Sequence, residues 1–318
     1  GSMSLLPDGG LRVAYRLLFL FVAEDRQLLL DPKAKVEAKD RFQRFYSTQR
    51  IRKLALGQAG TSHGDAWEQF KLLFRFVSSD QGAPEIALPV LGGQLFASSS
   101  CEDLERAALS NQALFAALRA LCLTREGNVK RKVDFLHLGA EELGSVYESL
   151  LESIPRVVNG DHFELVVAAG NDRKTSGSYY TPSSLIQELI RSALDPILDR
   201  AEGDPNAEKA ILDLKVCDPA CGSGHFLVAA AHRIARRLAI VRTKDAEPAP
   251  EEVRHALREV VSRCIYGVDL NPLSVELCKV SLWLEALDPG KPLAFLDHRI
   301  KNGNSLIGAT PALVAAGI

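Results

Sequence analysis

Residues 211–227 read ILDLKVCDPACGSGHFL, and this stretch decides the fold. An apolar run ends on Asp218. A turn follows in which Gly222 and Gly224 are separated by one serine, and a helical pattern then runs over 225–241. Strand, tight turn and helix in that order form one unit of a parallel β/α arrangement. The two glycines let the backbone bend sharply and approach a ligand closely. The helix that begins near His225 points its free N–H groups into the same space. In open parallel sheets, ligands bind beyond the carboxyl ends of the strands.

The alternation continues on both sides of the turn. A helix is expected over 182–201. After the turn come a Pro/Glu/Ala-rich loop at 245–250, a helix at 251–262, the apolar run CIYGVDL at 264–270 and a helix at 272–287. HRIKNGNSLIG at 298–308 reads as a third strand with its following loop. Asp269 thus sits at the end of the second strand as Asp218 does at the end of the first. The pattern predicts βαβ units in a doubly wound α/β sheet.

The chemistry of the turn narrows its cargo. A dinucleotide fingerprint calls for a third glycine at 227, where this chain has Leu. A carboxylate at the entrance, Asp218, repels a pyrophosphate and suits a cation. No Gly-Lys-Ser/Thr follows, so a P-loop is excluded. S-adenosylmethionine carries an ammonium, a sulfonium, a ribose diol for a strand-end carboxylate and an adenine, with no phosphate to cradle. A plain tight turn, with Asp269 as a helix cap, is the bland alternative.

At this point the sequence resembles a known family. GSYYTP (177–182), DPACGSGHFL (218–227), GVDLNPLSVELCKVSLWL (267–284) and IKNGNSLIG (300–308) look like motifs X, I, II and III of the adenine-N6 DNA methyltransferases. The likeness is closest to the large single-chain Type IIG restriction–modification and phage-defence modification enzymes. YRLLFLFVAEDR (15–26), LPVLGGQLF (88–96) and LGSVYESLLE (143–152) resemble the helical region that precedes the methyltransferase domain in that group. The resemblance implies a class I, Rossmann-like domain that uses S-adenosylmethionine and acts on double-stranded DNA; the scattered cysteines fit a reducing cytoplasm. It also implies roles. Tyr180 and Thr181 close over the methionine end, and Asp218, Ala220, Gly222 and Gly224 form the methionine-binding turn. Asp269 accepts the ribose hydroxyls, Leu270 lies beside the adenine, and Asn304 meets the adenine amino group with its carbonyl oxygen.

The resemblance stops before the grip on the base. Amino methylation of DNA needs the target base taken out of the stack and its nitrogen held in line with the methyl group. In the family, Asn/Asp-Pro-Pro-Tyr/Phe does this. The present 318 residues contain no Pro-Pro dipeptide. The chain is therefore expected to be part of a longer enzyme and inactive alone, and no catalytic residue is assigned. A non-catalytic binding module, or a methyltransferase of cytosine N4, RNA or protein, are the competing readings.

The expected division is a helical domain over 4–158, a linker over 159–176 and the cofactor-binding half of the methyltransferase domain over 177–318. Within the first part, residues 11–56 and 66–78 read helical, 79–100 reads as a surface loop, and helices resume at 101–123 and 140–152. DHFELVVAAG (161–170) reads as a short strand.

Composition sets outer limits. With 47% apolar residues, 25% charged residues and a net charge of −2, the chain can bury a core and has no bulk attraction for nucleic acid. Any DNA contact must come from a local patch. The apolar run at 17–23 is too short to span a bilayer. Six scattered cysteines do not make a disulfide framework. No zinc-type spacing occurs: Cys217 and Cys221 lack a second pair, and His225 and His232 lack a third ligand. Pro7–Asp8 with Glu37–Ala38–Lys39 matches nuclease letters on a helical segment, where a charged solvated face is the ordinary meaning. Lys130–Arg131–Lys132 and Arg242–Thr243–Lys244 could meet phosphate, although short basic runs are ordinarily just solvated.

Overall fold

The computed structural model describes residues 6–93, 95–97, 104, 106–127, 129–139, 142–146, 153–158, 162–167, 181–286 and 293–306. The chain divides into two compact units. One holds Gly1–Gly139, Pro155–Glu164 and Asp288–Ala294, and the other holds Ala140–Ile154, Leu165–Leu287 and Phe295–Ile318.

The first unit is mostly helical. Helix α1 spans Leu6–Asp25, α2 Val36–Phe45, α3 Thr48–Gly57, α4 Asp65–Ser78 and α5 Asn111–Cys122. The apolar run Leu17–Ala23 on α1 is buried throughout. The segment after Pro32 divides into two helices because Ser47 interrupts it as an N-cap, its hydroxyl accepting from the Arg50 N–H. The buried Glu24 carboxylate, at the end of α1, reinforces that cap. It accepts from the Thr48 N–H at 2.8 Å and from both the Ser47 and Thr48 hydroxyls. Arg16 is buried between the rings of Phe74 and Phe96 and donates to the carbonyls of Leu95 and Ala97. A guanidinium can be buried there because its donors are matched. The Trp67, Phe70, Leu73, Phe74 and Val77 side chains of α4 line the core, each worth roughly 1.5–3 kcal/mol relative to exposure. The stretch expected to be a surface loop over 79–100 contains, among its described residues, a 3₁₀ turn at Pro84–Ile86.

One element of this unit departs from the helical expectation. Strands β1, Leu123–Glu126, and β2, Val129–Lys132, form an antiparallel hairpin. Two further strands, β3 at Ser153–Val158 and β4 at His162–Val167, make a separate two-stranded sheet. The β4 strand falls on the stretch read as DHFELVVAAG, inside the span expected to be a linker.

The second unit contains α6 (Ser183–Leu189), α7 (Asp195–Glu202), α8 (Ala207–Leu212), β5 (Val216–Asp218), α9 (His225–Thr243), α10 (Pro250–Arg263), β6 (Ile265–Asp269), α11 (Pro272–Ala286) and β7 (Ile300–Asn302). The helix expected over 182–201 is broken by a π-helical turn at Ile190–Leu194. Pro196 is the cause: it lacks an N–H and its ring crowds the carbonyl four residues back. The run 211–218 is only half strand. Ile211 and Leu212 end α8, are buried, and leave three residues for β5.

Strands β5, β6 and β7 form a parallel sheet in sequential order. Cys217 pairs with Tyr266, Asp218 with Gly267, and Asp269 with Asn302. Helix α9 packs on α10, and Leu227, Ala230, Ala231, Ile234, Leu238, Leu257, Val260 and Val261, all at most 2% exposed, belong to one buried cluster. Helix α11 is buried continuously from Ser274 to Leu284, including Glu276 and Lys279. Lys279 Nζ lies 2.8 Å from Glu276 Oε1 and 2.7 Å from Asp297 Oδ1, so the burial of charge is compensated.

Candidate functional site

The strand ends of β5, β6 and β7 carry the site. Asp218 terminates β5, and its Oδ1 accepts from the Ala220 N–H at 3.0 Å. Loss of water pushes the Asp218 carboxyl above the usual carboxylate range. The Ala220 N–H partly offsets this, and the negative charge of Asp269 adds to it. The turn that follows has two left-handed residues, Gly222 at φ +52° and Gly224 at φ +87°. Gly224 is the N-cap of α9 and offers no side-chain cap to its first N–H groups.

The two glycines are required for different reasons. A Cβ at Gly224 would lie 2.7 Å from Cys278 Sγ and 3.2 Å from Cys278 Cα, inside the core. A Cβ at Gly222 would meet no atom within 4 Å. Packing fixes the first; space for something outside the protein is compatible with the second. Below the turn, Cys221 is buried, and Gly267 of β6 leaves room for its side chain. Cys217, by contrast, is exposed.

Asp269 ties the turn to the second strand. Its Oδ2 accepts from the Gly222 N–H at 2.9 Å and its Oδ1 from the Asn271 N–H at 2.8 Å. A carboxylate offers about four acceptor positions, so two remain. Leu270 follows with 69% of its surface exposed. Asn304, beyond β7, is half-buried, and its Oδ1 accepts from the Leu306 N–H at 2.9 Å, leaving a second lone pair. Thr181 is exposed just ahead of α6. Tyr180 lies outside the described residues. The structure thus brings Asp218, Ala220, Gly222, Gly224, Asp269, Leu270 and Asn304 to one set of strand ends.

Two further residues join them that the sequence reading passed over. Asn302 Nδ2 donates to the carbonyls of Asp269 at 3.0 Å and Leu270 at 2.9 Å. Ser305 Oγ donates to the Pro219 carbonyl at 2.8 Å. These bonds lace the three loops together. The stretch 298–308 is expected to be a strand with its following loop, and nothing local in it signals these distant partners.

The weaker candidates resolve differently. Arg242 is held by Glu208 and Glu259 at 2.6 Å each, so it is spent within the second unit. Among the described residues no group of three metal-ligating side chains converges, and no helix is long and apolar enough to cross a membrane.

A parallel sheet with a glycine turn after its first strand and carboxylates on two adjacent strand ends fits an α/β methyltransferase fold. Comparison with known proteins agrees. The family model for N-6 DNA Methylase matches residues 141–306, and the chain belongs to that family. RM.MjaORFECS2P of Methanocaldococcus jannaschii is 25% identical over 272 residues, which is 70% of this chain and 21% of that protein. The type II restriction enzyme and methyltransferase RM.Eco57I of Escherichia coli is 26% identical over 190 residues, 54% of this chain and 18% of that one. The chain therefore spans about a fifth of the length of these relatives. The structure of the Type IIL restriction-modification enzyme MmeI in complex with DNA superposes with a TM-score of 0.53 at 18% identity, covering 96% of this chain and 38% of that chain. That likeness is one of fold.

Proposed function

We propose that this chain carries the methyl-donor half of a DNA adenine-N6 methyltransferase of a restriction–modification or phage-defence system, acting on double-stranded DNA in the cytoplasm. In this reading residues 4–158 form the helical domain, 159–176 the linker and 177–318 the cofactor half. The observation that carries it is the Gly222 N–H bond to Asp269, which joins the glycine turn that follows Asp218 to the carboxylate at the next strand end.

The residues fit S-adenosylmethionine, which supplies the methyl group when bound. Asp218 and Asp269 give the site the negative character that an ammonium and a sulfonium need, and no lysine or arginine belongs to the set. Asp269 has two acceptor positions left for two ribose hydroxyls. Leu270 offers an exposed apolar surface for the adenine, and Asn304 an acceptor for its amino group. Thr181 and Tyr180 belong to the segment that covers the methionine end. The open space at Gly222 keeps the donor's path clear. The chain's own residues bind and orient; the grip on the target base comes from a Pro-Pro motif that these 318 residues do not contain. Alone, they are expected to bind the donor and to transfer no methyl group.

Titration calorimetry of the folded chain with S-adenosylmethionine tests the reading. Saturable heat that Asp269→Ala removes supports it; no heat above dilution sinks it. A tritiated-methyl assay on duplex DNA tests the second half, and robust transfer by this chain alone would contradict it.

A further inference from the structure

We propose that the β1–β2 hairpin is a docking ribbon for the phosphate backbone of duplex DNA, contacting it through Arg125, Lys130 and Lys132 with help from Lys53 of α3. The proposal rests on DNA being the substrate of the whole protein, and goes beyond it by placing a contact surface far along the chain from the donor turn.

The hairpin is exposed along both strands: three of four residues on β1 and all four on β2. Two-stranded ribbons are marginal on their own, and burial does not account for the choice of residues here. The register sorts them by face, because directly opposed residues point the same way. Thr124 opposes Arg131 and Glu126 opposes Val129 on one face, where Arg131 is neutralised by Glu126 at 2.9 Å. Leu123 opposes Lys132 and Arg125 opposes Lys130 on the other. That second face holds three cations and no acid.

Two features separate this face from an ordinary solvated charge run. Arg125 directly opposite Lys130 is a like-charge pair, which costs the ribbon stability unless an anion joins it. Arg125, Lys130 and Lys132 also have no ion-pair partner among the described residues. Nearby, Lys132 and Lys53 line one depression together with Gln49 and Arg52, and Arg52 is already paired with Asp25. The local excess stands against a chain whose net charge is −2. Lys130 and Lys132, two residues apart on a strand, are about 7 Å apart. One DNA strand presents a charge roughly every 3.4 Å of axis, so both can reach phosphates of a single strand. Such contacts position a protein without reading sequence.

The test is fluorescence anisotropy of the 318-residue chain with a labelled duplex of arbitrary sequence, at salt from about 20 to 200 mM. The triple variant Arg125→Gln, Lys130→Gln, Lys132→Gln is expected to weaken binding equally across sequences. It should also flatten the slope of log affinity against log salt by about 3, at roughly 0.9 per phosphate contact. Arg131→Gln, on the neutralised face, should flatten it by less than 1. Circular dichroism checks that each variant keeps its helix content, and if the triple variant loses it, Lys130→Gln and Lys132→Gln are read singly, about 1 each. An unaltered chain that does not bind duplex, or an unchanged slope, overturns the proposal. So does poly-glutamate competing as well as duplex at equal charge, which would assign the face to an acidic protein. Calorimetry with S-adenosylmethionine on the same variants keeps the donor reading separate: it should not change, and its failure there would not bear on the hairpin.

Discussion

The two glycines of the turn offer a test in which one chemical change should give opposite results two residues apart. Alanine at Gly222 must adopt φ near +52°, and alanine at Gly224 φ near +87°. The left-handed backbone costs a non-glycine residue about 1–2 kcal/mol in either place. At Gly222 that is the whole cost, since the added methyl meets nothing within 4 Å. At Gly224 the methyl also strikes Cys278 at 2.7 Å from Sγ and 3.2 Å from Cα. Overpacking of this kind adds roughly 1–3 kcal/mol. Urea unfolding should therefore rank Gly224→Ala below Gly222→Ala by about 1–3 kcal/mol, with both below the unaltered chain. Titration with S-adenosylmethionine should reverse the contrast: Gly222→Ala keeps its fold and loses the donor, because its methyl occupies the clear space. Cys278→Ala in the Gly224→Ala background should recover about 1 kcal/mol by removing the nearer clash, a coupling that a double-mutant cycle would register. Equal destabilisation at both positions, or full donor affinity in Gly222→Ala, would refute the reasoning.

The remaining predictions follow the same logic. Asp218 has a folded-state pKa raised by burial, so its contribution favours the fold below the ordinary value of 3.8 and is lost as pH rises through the raised one. Asp218→Asn should accordingly raise the melting temperature near pH 7, with the gain fading toward pH 4, while donor affinity falls; a loss of stability near pH 7 would count against it. Lys279→Met leaves Glu276 buried without its ammonium and should cost about 3–5 kcal/mol by urea unfolding, whereas joint replacement of Lys279, Glu276 and Asp297 by apolar and neutral residues should cost much less. Asn302→Asp turns a double donor into an acceptor facing two carbonyls. It should lower donor affinity about fivefold, equivalent to about 1 kcal/mol, with Asn302→Ala slightly milder.

Most of the second unit was legible because its signals are local. Glycines at 222 and 224 announce a turn whatever surrounds them, and acids at 218 and 269 close apolar runs in the same way. The β5 run was read too long because Ile211 and Leu212 are apolar in a helix as in a strand, and a short run does not distinguish the two. Pro196 was visible, but whether a helix stops ahead of a proline or absorbs it in a π turn is not written in the local sequence. The hairpin was missed although Gly127–Asn128 between two short runs is a hairpin signal. Its strands are polar on both faces, so the alternation that normally marks a strand is absent. Asn302 and Ser305 were out of reach for another reason: their partners lie 32 to 86 residues away, and only the strand register shows the pairing.

The thiols around the turn give the molecule a chemical clock. Cys217 is open to a labelling reagent, while Cys221 and Cys278 sit beneath the glycine turn at 5% and 0% exposure. A reagent can reach these two only when the turn lifts from β6 and α11, so their labelling rate reads the free energy of that local opening. Cys264, under α8, is also fully buried and reports a different event, the parting of α8 from the start of β6. A ligand seated on the strand ends should slow the first pair and leave the other unchanged, which would turn four native sulfurs into a map of where the unit breathes.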